Sequence, residues 1–168
     1  PLAEGAALDD LFSDVLDDRG RIRIFAGKTG VQPDLLSLLL YLAIRPGIEI
    51  GAFQLADHLA DEQENRSSCP ICGSAPIIGQ LDAEGRQWVH CSLCWHRWPV
   101  TRMACPFCAN CNGEALEYFY SDDEPEYRVN LCNGCRQYLK VVDVRKTDRP
   151  LFMPLEQVAS LHLDIMAA

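Results

Sequence analysis

The stretch Cys69-Pro70-Ile71-Cys72-Gly73 opens a run of sequence, ending at Cys135, that contains all nine cysteines of the 168-residue chain. Eight of them form four Cys-x-x-Cys pairs: Cys69/Cys72, Cys91/Cys94, Cys105/Cys108 and Cys132/Cys135. Two thiolates separated by two residues reach one metal ion across a tight turn, and two such turns complete a tetrahedral shell of four sulfurs. The four pairs therefore predict two metal sites, the first formed by the first two pairs and the second by the last two.

The two halves of this run follow one plan, which indicates a duplicated module. In each half, a cysteine pair leads into a strand, a turn and a returning strand that reaches the next pair. The predicted strands are residues 76–81, 86–90, 116–120, 127–131 and 138–142, and the predicted turns are 82–85 and 121–125. Trp95, Trp98 and Val100 supply the apolar cover that a small metal site needs.

Each Cys-x-x-Cys pair with its turn is called a knuckle here. Cys111, the ninth cysteine, leaves open which two cysteines form the third knuckle. Cys108 and Cys111 are also separated by two residues, so either pair satisfies the spacing. We favour Cys105/Cys108, because its Cys-Pro-x-Cys form repeats that of the first pair. A glycine after a pair lets the turn adopt the φ it needs, as at Gly73, whereas Ala109 follows Cys108.

Outside the cysteine run, apolar residues recur at helical spacing. The predicted helices are Leu8 to Gly20, Pro33 to the Pro46-Gly47 pair, Ile48 to Glu64, and Pro154 to Met166. Between the first two, Ile22, Ile24 and Phe25 predict a short extended segment that ends at Gly27.

The predicted fold class is therefore α+β. An N-terminal helical part is followed by two tandem rubredoxin-like or zinc-ribbon modules and a C-terminal helix. The predicted domains are residues 1–66 for the helical part, 67–102 and 103–146 for the two metal modules, and 147–168 for a linker and the closing helix.

Charge and cysteine usage limit the partners and the compartment. The formal net charge is −9, and each divalent ion held by four thiolates adds about −2, so the chain lacks the basic surface that nucleic acid requires. Regular Cys-x-x-Cys pairs without a signal peptide indicate metal binding in a reducing compartment, the cytoplasm. The longest apolar run, Leu35 to Ile44, is too short for a bilayer of about 30 Å, which argues against membrane insertion.

The chemistry of the sites points to structure before catalysis. A closed four-cysteine shell leaves no coordination position for a substrate, so two divalent metal ions with a structural role are expected. Iron in the same shell could carry an electron, as in rubredoxin, and the sequence does not choose between zinc and iron. His90 and His96 flank a pair but are not needed as ligands. No catalytic triad, glycine-rich phosphate loop or His-Glu-x-x-His motif is present, so an enzyme is not predicted.

Several motifs together resemble a known family. They are Cys69-Pro-Ile-Cys-Gly-Ser-Ala-Pro76, His90-Cys-Ser-Leu-Cys94, Arg102 ahead of Cys105-x-x-Cys108, and Cys132-x-x-Cys135 leading into Tyr138-Leu-Lys140. In these, and in its closing helix, the chain resembles the formate dehydrogenase accessory proteins of the FdhE type. The resemblance implies a non-enzymatic cytoplasmic factor that binds the catalytic subunit of formate dehydrogenase and supports its assembly or activation. An iron rubredoxin-like electron-transfer protein is the alternative from another class.

Overall fold

The structure is a computed structural model and describes residues 20–59 and 66–167. The chain divides into two compact units, residues up to Gly51 and residues from Ala52 onward. The described helices are α1 (Gly20–Thr29), α2 (Pro33–Ala56), α3 (Met153–Ala159) and α4 (Leu161–Ala167). The described strands are β1 (Pro76–Leu81), β2 (Gln87–Cys91), β3 (Arg97–Val100), β4 (Leu116–Ser121), β5 (Glu124–Cys132) and β6 (Gln137–Asp143). Short 3₁₀ turns lie at Gly113–Ala115 and Val144–Lys146.

Helix α1 replaces the extended segment predicted at Ile22 to Phe25, and that prediction is wrong. Ile22 is fully buried and packs with Leu40 of α2, while Phe25 and Leu36 pack at the edge of the same cluster. Residues three and four apart share one helix face, and this spacing lets α1 bury its apolar side against α2. The predicted helix from Leu8 lies outside the described residues up to its end at Gly20.

Helix α2 runs through Pro46, so the predicted end at Pro46 and the separate helix from Ile48 are wrong. Proline removes one backbone hydrogen-bond donor from a helix. The rest of this 24-residue helix continues on both sides of Pro46. An ion pair from Arg45 Nε to Glu49 Oε1, at 2.7 Å, joins the turns on either side of the proline. The helix ends at Ala56, before the predicted Glu64, which lies outside the described residues.

The continuity of α2 also changes the membrane argument made from sequence. At 24 residues, the helix is long and apolar enough to span a bilayer by length and composition, whereas the apolar run alone is too short. The core helix of a soluble protein and a signal sequence meet the same criterion, so this property alone is weak evidence for a membrane segment.

The six strands form one sheet in the order β3-β2-β1-β6-β5-β4. Each predicted module contributes an antiparallel meander of three strands, and the meanders are joined by parallel pairing of β1 with β6, where Ile78 lies opposite Lys140. The five predicted strands are confirmed within a few residues. β3 was predicted only as apolar cover, and its Trp98 and Val100 are buried. The second turn is shorter than predicted because β5 begins at Glu124.

Two short helices, α3 and α4, cover one face of the sheet where one closing helix was predicted. The helical run breaks at Ser160, whose hydroxyl donates to the carbonyl of Glu156 at 2.7 Å. A serine that bonds its own backbone in this way competes with regular helix propagation. Met153 and Leu163 pack with Ile78, Val129 and other buried residues of the sheet, so the break lets both helices bury apolar side chains.

Buried polar contacts attach these helices to the sheet. Glu156 is 2% exposed; its Oε2 accepts from the hydroxyl of Tyr127 at 2.6 Å and from Arg149 Nη2 at 2.7 Å. The Arg149 guanidinium holds the pKa of Glu156 below its usual range. The ammonium of Lys140, also 2% exposed, donates to Asp164 Oδ2 at 2.8 Å and to two helix carbonyls.

Candidate metal centre

The first four predicted ligands lie together at one end of the sheet. The sulfurs of Cys69 and Cys94 are 3.5 Å apart, and Cys72 Sγ lies 3.3 Å from Cys91 Sγ and 3.6 Å from Cys94 Sγ. All four sulfurs are within 4.8 Å of one another, and all four thiols are free. Four sulfurs about 2.3 Å from a tetrahedral metal would be about 3.8 Å apart, so this cluster is close to the size that a metal ion requires.

The last four predicted ligands form a second cluster of the same kind. Cys105 Sγ lies 3.6 Å from Cys135 Sγ, and Cys108 Sγ lies 3.8 Å from Cys132 Sγ. The structure places Cys108 in this group and leaves Cys111 outside it. The thiol of Cys111 is exposed and contacts the carbonyl of Ala109 at 3.4 Å.

Sheet topology puts both clusters at the same end of the molecule's sheet. Cys91 ends β2 beside the first residue of β1, and Cys132 ends β5 beside the first residues of β4 and β6. Because β1 and β6 are parallel, their starting ends lie on one side of the sheet. The eight thiols therefore lie at one end of the sheet, where each group of four joins strand ends of one meander.

A common backbone turn shapes all four knuckles. The residue after each pair has a left-handed φ: 76° at Gly73, 58° at Trp95, 56° at Ala109 and 58° at Arg136. In the first three of these turns, the N–H of the first cysteine donates to the carbonyl five residues later; for example, Cys105 N–H donates to Asn110 O at 2.9 Å. Ala109 therefore adopts the turn that the sequence associates with glycine, despite the cost that a Cβ adds in this region.

Replacing alanine by glycine after one cysteine pair, and glycine by alanine after another, is expected to change the free energy of unfolding in opposite directions. Ala109→Gly should stabilise the chain by about 1 kcal/mol, because it relieves left-handed strain, and Gly73→Ala should destabilise it by about 1 kcal/mol. A Cβ at Gly73 meets nothing within 4 Å, so its effect comes from the backbone alone. Urea unfolding of the metal-loaded variants measures both, and a shift of the same sign in both variants would refute the strain argument.

The thiols of each cluster influence one another strongly. Hydrogen bonds from Cys91 and Cys94 lower the pKa of Cys69 to about 3, while bonds to Cys69 and Cys91 raise the pKa of Cys94. In the second cluster, burial raises the pKa of Cys105 to about 12. Thiols this close cannot all ionise without a compensating cation, and a soft divalent ion supplies that charge. The two donor sets fit such an ion, and four sulfurs suit zinc or iron.

The two clusters differ in their exposure to solvent. Each cluster has one exposed cysteine, Cys72 in the first and Cys108 in the second. The other three of the first cluster are buried, whereas Cys135 of the second is partly exposed. A chelator must reach a sulfur–metal bond before it can compete for the ion. The second cluster is therefore the more accessible one.

Chelation of the fully loaded protein is expected to proceed in two phases with one ion each. The exposed second cluster should release its ion at least several-fold faster than the first, which a colorimetric chelator can follow over time. Cys132→Ser should remove the fast phase and keep the slow one. A single phase, or a fast phase that survives in Cys132→Ser, would contradict the assignment.

The histidines near the clusters lie outside both groups of ligand atoms. His90 is buried in β2, where its Nε2 is 3.2 Å from Gln80 Oε1 and burial lowers its pKa to about 4. His96 accepts the backbone N–H of Cys91 through its carbonyl. These contacts are packing roles of the kind predicted from the sequence.

Sequence reasoning missed a cleft of about 660 Å³ on the second module. Its walls come from the segment around Arg102 and from strands β4, β5 and β6. The segment around Arg102 and the lining residues of the three strands come together only in the folded chain. No linear motif marks them.

Comparisons with known proteins agree on one family. A family model described as FdhE, central domain, matches residues 68–102, which hold the first cluster. The chain is 31% identical over 146 residues to the Protein FdhE homolog of Aquifex aeolicus, covering 83% of this chain and 50% of that protein. It is 36% identical over 139 residues to the homolog from Haemophilus ducreyi, covering 80% and 44% respectively.

A solved structure is similar over almost the whole chain. The crystal structure of the FdhE protein from Pseudomonas aeruginosa matches with a TM-score of 0.72 and 25% sequence identity, covering 99% of this chain and 61% of that one. The chain spans half or less of the length of the two curated relatives described above.

Proposed function

We propose that this chain, which is similar to FdhE proteins in sequence and fold, is a formate dehydrogenase accessory protein that binds the catalytic subunit of that enzyme and supports its assembly or activation. Its role is non-enzymatic and its compartment is the cytoplasm. The observation that carries the proposal is the pair of four-cysteine clusters at one end of a single sheet, in a chain with these relatives.

The proposed metal sites give the protein a fixed shape. One ion is bound by Cys69, Cys72, Cys91 and Cys94, and a second by Cys105, Cys108, Cys132 and Cys135. Each ion joins the two ends of a meander, and zinc or iron fills both shells. The modules of residues 67–102 and 103–146 thereby form a rigid platform for a partner.

The apolar surface of α3 and α4 is the proposed contact region. Leu155, Val158 and Ile165 are 63%, 61% and 83% exposed, and Leu161 and Met166 are also exposed on these helices. Exposed apolar patches of this kind are typical of protein interaction sites.

Retention of the catalytic subunit on the immobilised, metal-loaded chain tests the proposal. Ile165→Asp should reduce retention at least tenfold, and the matched control Ala83→Asp adds the same charge in the exposed turn between β1 and β2 and should retain the subunit. Metal content and thermal unfolding verify that both variants fold. No retention by the wild-type chain with both sites filled would overturn the proposed function.

Exposure of the second cluster favours one further candidate, iron-based electron transfer. Exposure of Cys108 together with partial exposure of Cys135 brings a metal at this cluster closer to a redox partner than one at the first cluster, where only Cys72 is exposed. Protein purified from its own host without added zinc should then absorb strongly in the visible range and bleach reversibly on reduction. A colourless protein that contains two zinc ions would exclude this candidate.

A further inference from the structure

The cleft on the second module lies on the sheet face opposite α3 and α4. Lys140 and Val142 of β6 face these helices, while the alternate residues Leu139 and Asp143 line the cleft. Successive side chains of a strand point to opposite faces, so the cleft occupies the face that the helices leave uncovered. Its volume of about 660 Å³ is in the range of small-molecule binding sites.

Arg128 of β5 lines the cleft with part of its hydrogen-bonding capacity unused. Its Nη2 donates to Gln87 Oε1 at 3.3 Å, but its buried Nε has no hydrogen-bond partner. Among the described residues, no carboxylate lies within ion-pair distance of Arg128 or of Arg102, which lines the same cleft. Burial, followed by the positive charge of Arg102, lowers the pKa of Arg128, so two like charges share this space.

The carboxylates of the cleft offset only part of the charge of this pair of arginines, with Asp143 acting on Arg128. Asp143 is held by Arg145 through two bonds of 2.8 and 2.7 Å, and Glu117 accepts from Asn133 at 2.7 Å. Lys146 adds another cation at the rim. The lining thus holds four basic side chains, Arg102, Arg128, Arg145 and Lys146, against three acidic ones, Glu117, Glu126 and Asp143, in a chain whose net charge is −9.

Two tyrosines supply a flat apolar wall beside these charges. The rings of Tyr118 and Tyr120 are nearly parallel, at 15°, with centroids 6.4 Å apart. They are 66% and 54% exposed, and both line the cleft. Exposed aromatic faces stack with planar rings, and guanidinium groups bind phosphate oxygens through paired N–H donors.

We propose that this cleft binds a small phosphorylated ligand that carries a planar ring, a molecule of nucleotide size. The phosphate groups lie between Arg102 and Arg128, where the anion relieves the repulsion of the two guanidinium groups. The ring stacks on Tyr118 or Tyr120. Cys105 and Cys132 of the second cluster also line the cleft, so the second metal site forms part of its wall, whereas the proposal does not depend on the binding of a catalytic subunit.

Calorimetric titration of the metal-loaded chain with ADP and with inorganic pyrophosphate tests the proposal. Both should bind, ADP at least several-fold more tightly, and both affinities should fall as salt is raised. Arg102→Gln should weaken both probes about tenfold. Arg102 is exposed and forms no hydrogen bond or ion pair with any described residue, so its replacement should leave the fold intact. Tyr118→Leu should weaken ADP and leave pyrophosphate unchanged.

Arg86→Gln is the matched control, because Arg86 is an exposed arginine in the turn of the first module, paired with Asp82. It should bind both probes like the wild-type chain. Absence of binding at millimolar probe concentration would overturn the proposal, and so would an equal loss in Arg86→Gln. Equal affinity for ADP and pyrophosphate would refute stacking of a ring on the tyrosines.

Discussion

Cys91→Ser is expected to lower the metal content of the purified chain from two ions to one and to destabilise the first module by several kcal/mol. Cys91 is fully buried where β2 ends beside the start of β1, so its sulfur joins the metal to this end of the sheet. A structural zinc site contributes about 10–16 kcal/mol to folding, so the loss of one of four ligands has a large effect. Metal analysis and urea unfolding measure the two consequences together.

Cys111→Ser provides the matched control for this variant. Its thiol is exposed and lies outside both clusters, so the variant should keep two ions and its unfolding midpoint. Cys132→Ser should also reduce the metal content to one ion, but at the second cluster. Retention of two ions by Cys91→Ser, with an unchanged midpoint, would refute the first site.

Asp164→Asn should destabilise the second unit by about 3 kcal/mol at neutral pH. It removes the carboxylate that faces the buried ammonium of Lys140 at 2.8 Å, and an uncompensated buried charge costs about 3–5 kcal/mol. The value lies at the low end because Asp164 is 26% exposed and water partly replaces it. Asparagine keeps an acceptor for the hydroxyl of Tyr138, which donates to Asp164 Oδ1 at 3.0 Å.

Lys140→Met in the Asp164→Asn background separates charge from packing. Methionine is similar in size to lysine and removes the buried ammonium, so the double variant should be more stable than Asp164→Asn alone. Urea unfolding of the metal-loaded proteins gives the comparison. A double variant less stable than the single one would mean that the bonds of Lys140 to the helix carbonyls, not its charge, control the docking of α3 and α4.

Local spacing made much of the cysteine region predictable. Two cysteines separated by two residues, followed by a strand and a turn such as Asp82–Gly85, encode a hairpin through contacts close in sequence, and the structure contains these hairpins. The four-cysteine groups follow from the same spacing. The three turns at Trp95, Ala109 and Arg136 adopt the glycine-like conformation without glycine, because the surrounding bonds impose it.

The errors came where tertiary contacts outweigh a local signal. Pro46 is normally a helix terminator, yet α2 continues because its apolar residues extend on both sides of the proline. Ile22 and Phe25 match a short strand as well as a helix face, and burial against Leu40 selects the helix. Ser160 breaks the closing helix through a side-chain bond that periodicity does not report.

Long-range features were beyond the reach of the sequence. The parallel pairing of β1 with β6 joins strands from different modules. The sequence of neither strand specifies the other as its partner. The cleft beside Arg128 depends on this sheet and on residues from four segments, so it became visible only in three dimensions.

The parallel pairing of β1 with β6 has a consequence for biosynthesis. The ribosome completes β1, β2 and β3 long before β6 emerges, so the nascent chain carries an unsatisfied edge strand while the second module is being made. Such an edge is a template for wrong pairing with other chains. Early metal loading at the first cluster would hold the nascent meander in shape during that interval. The sheet would be complete only when β6 pairs with β1.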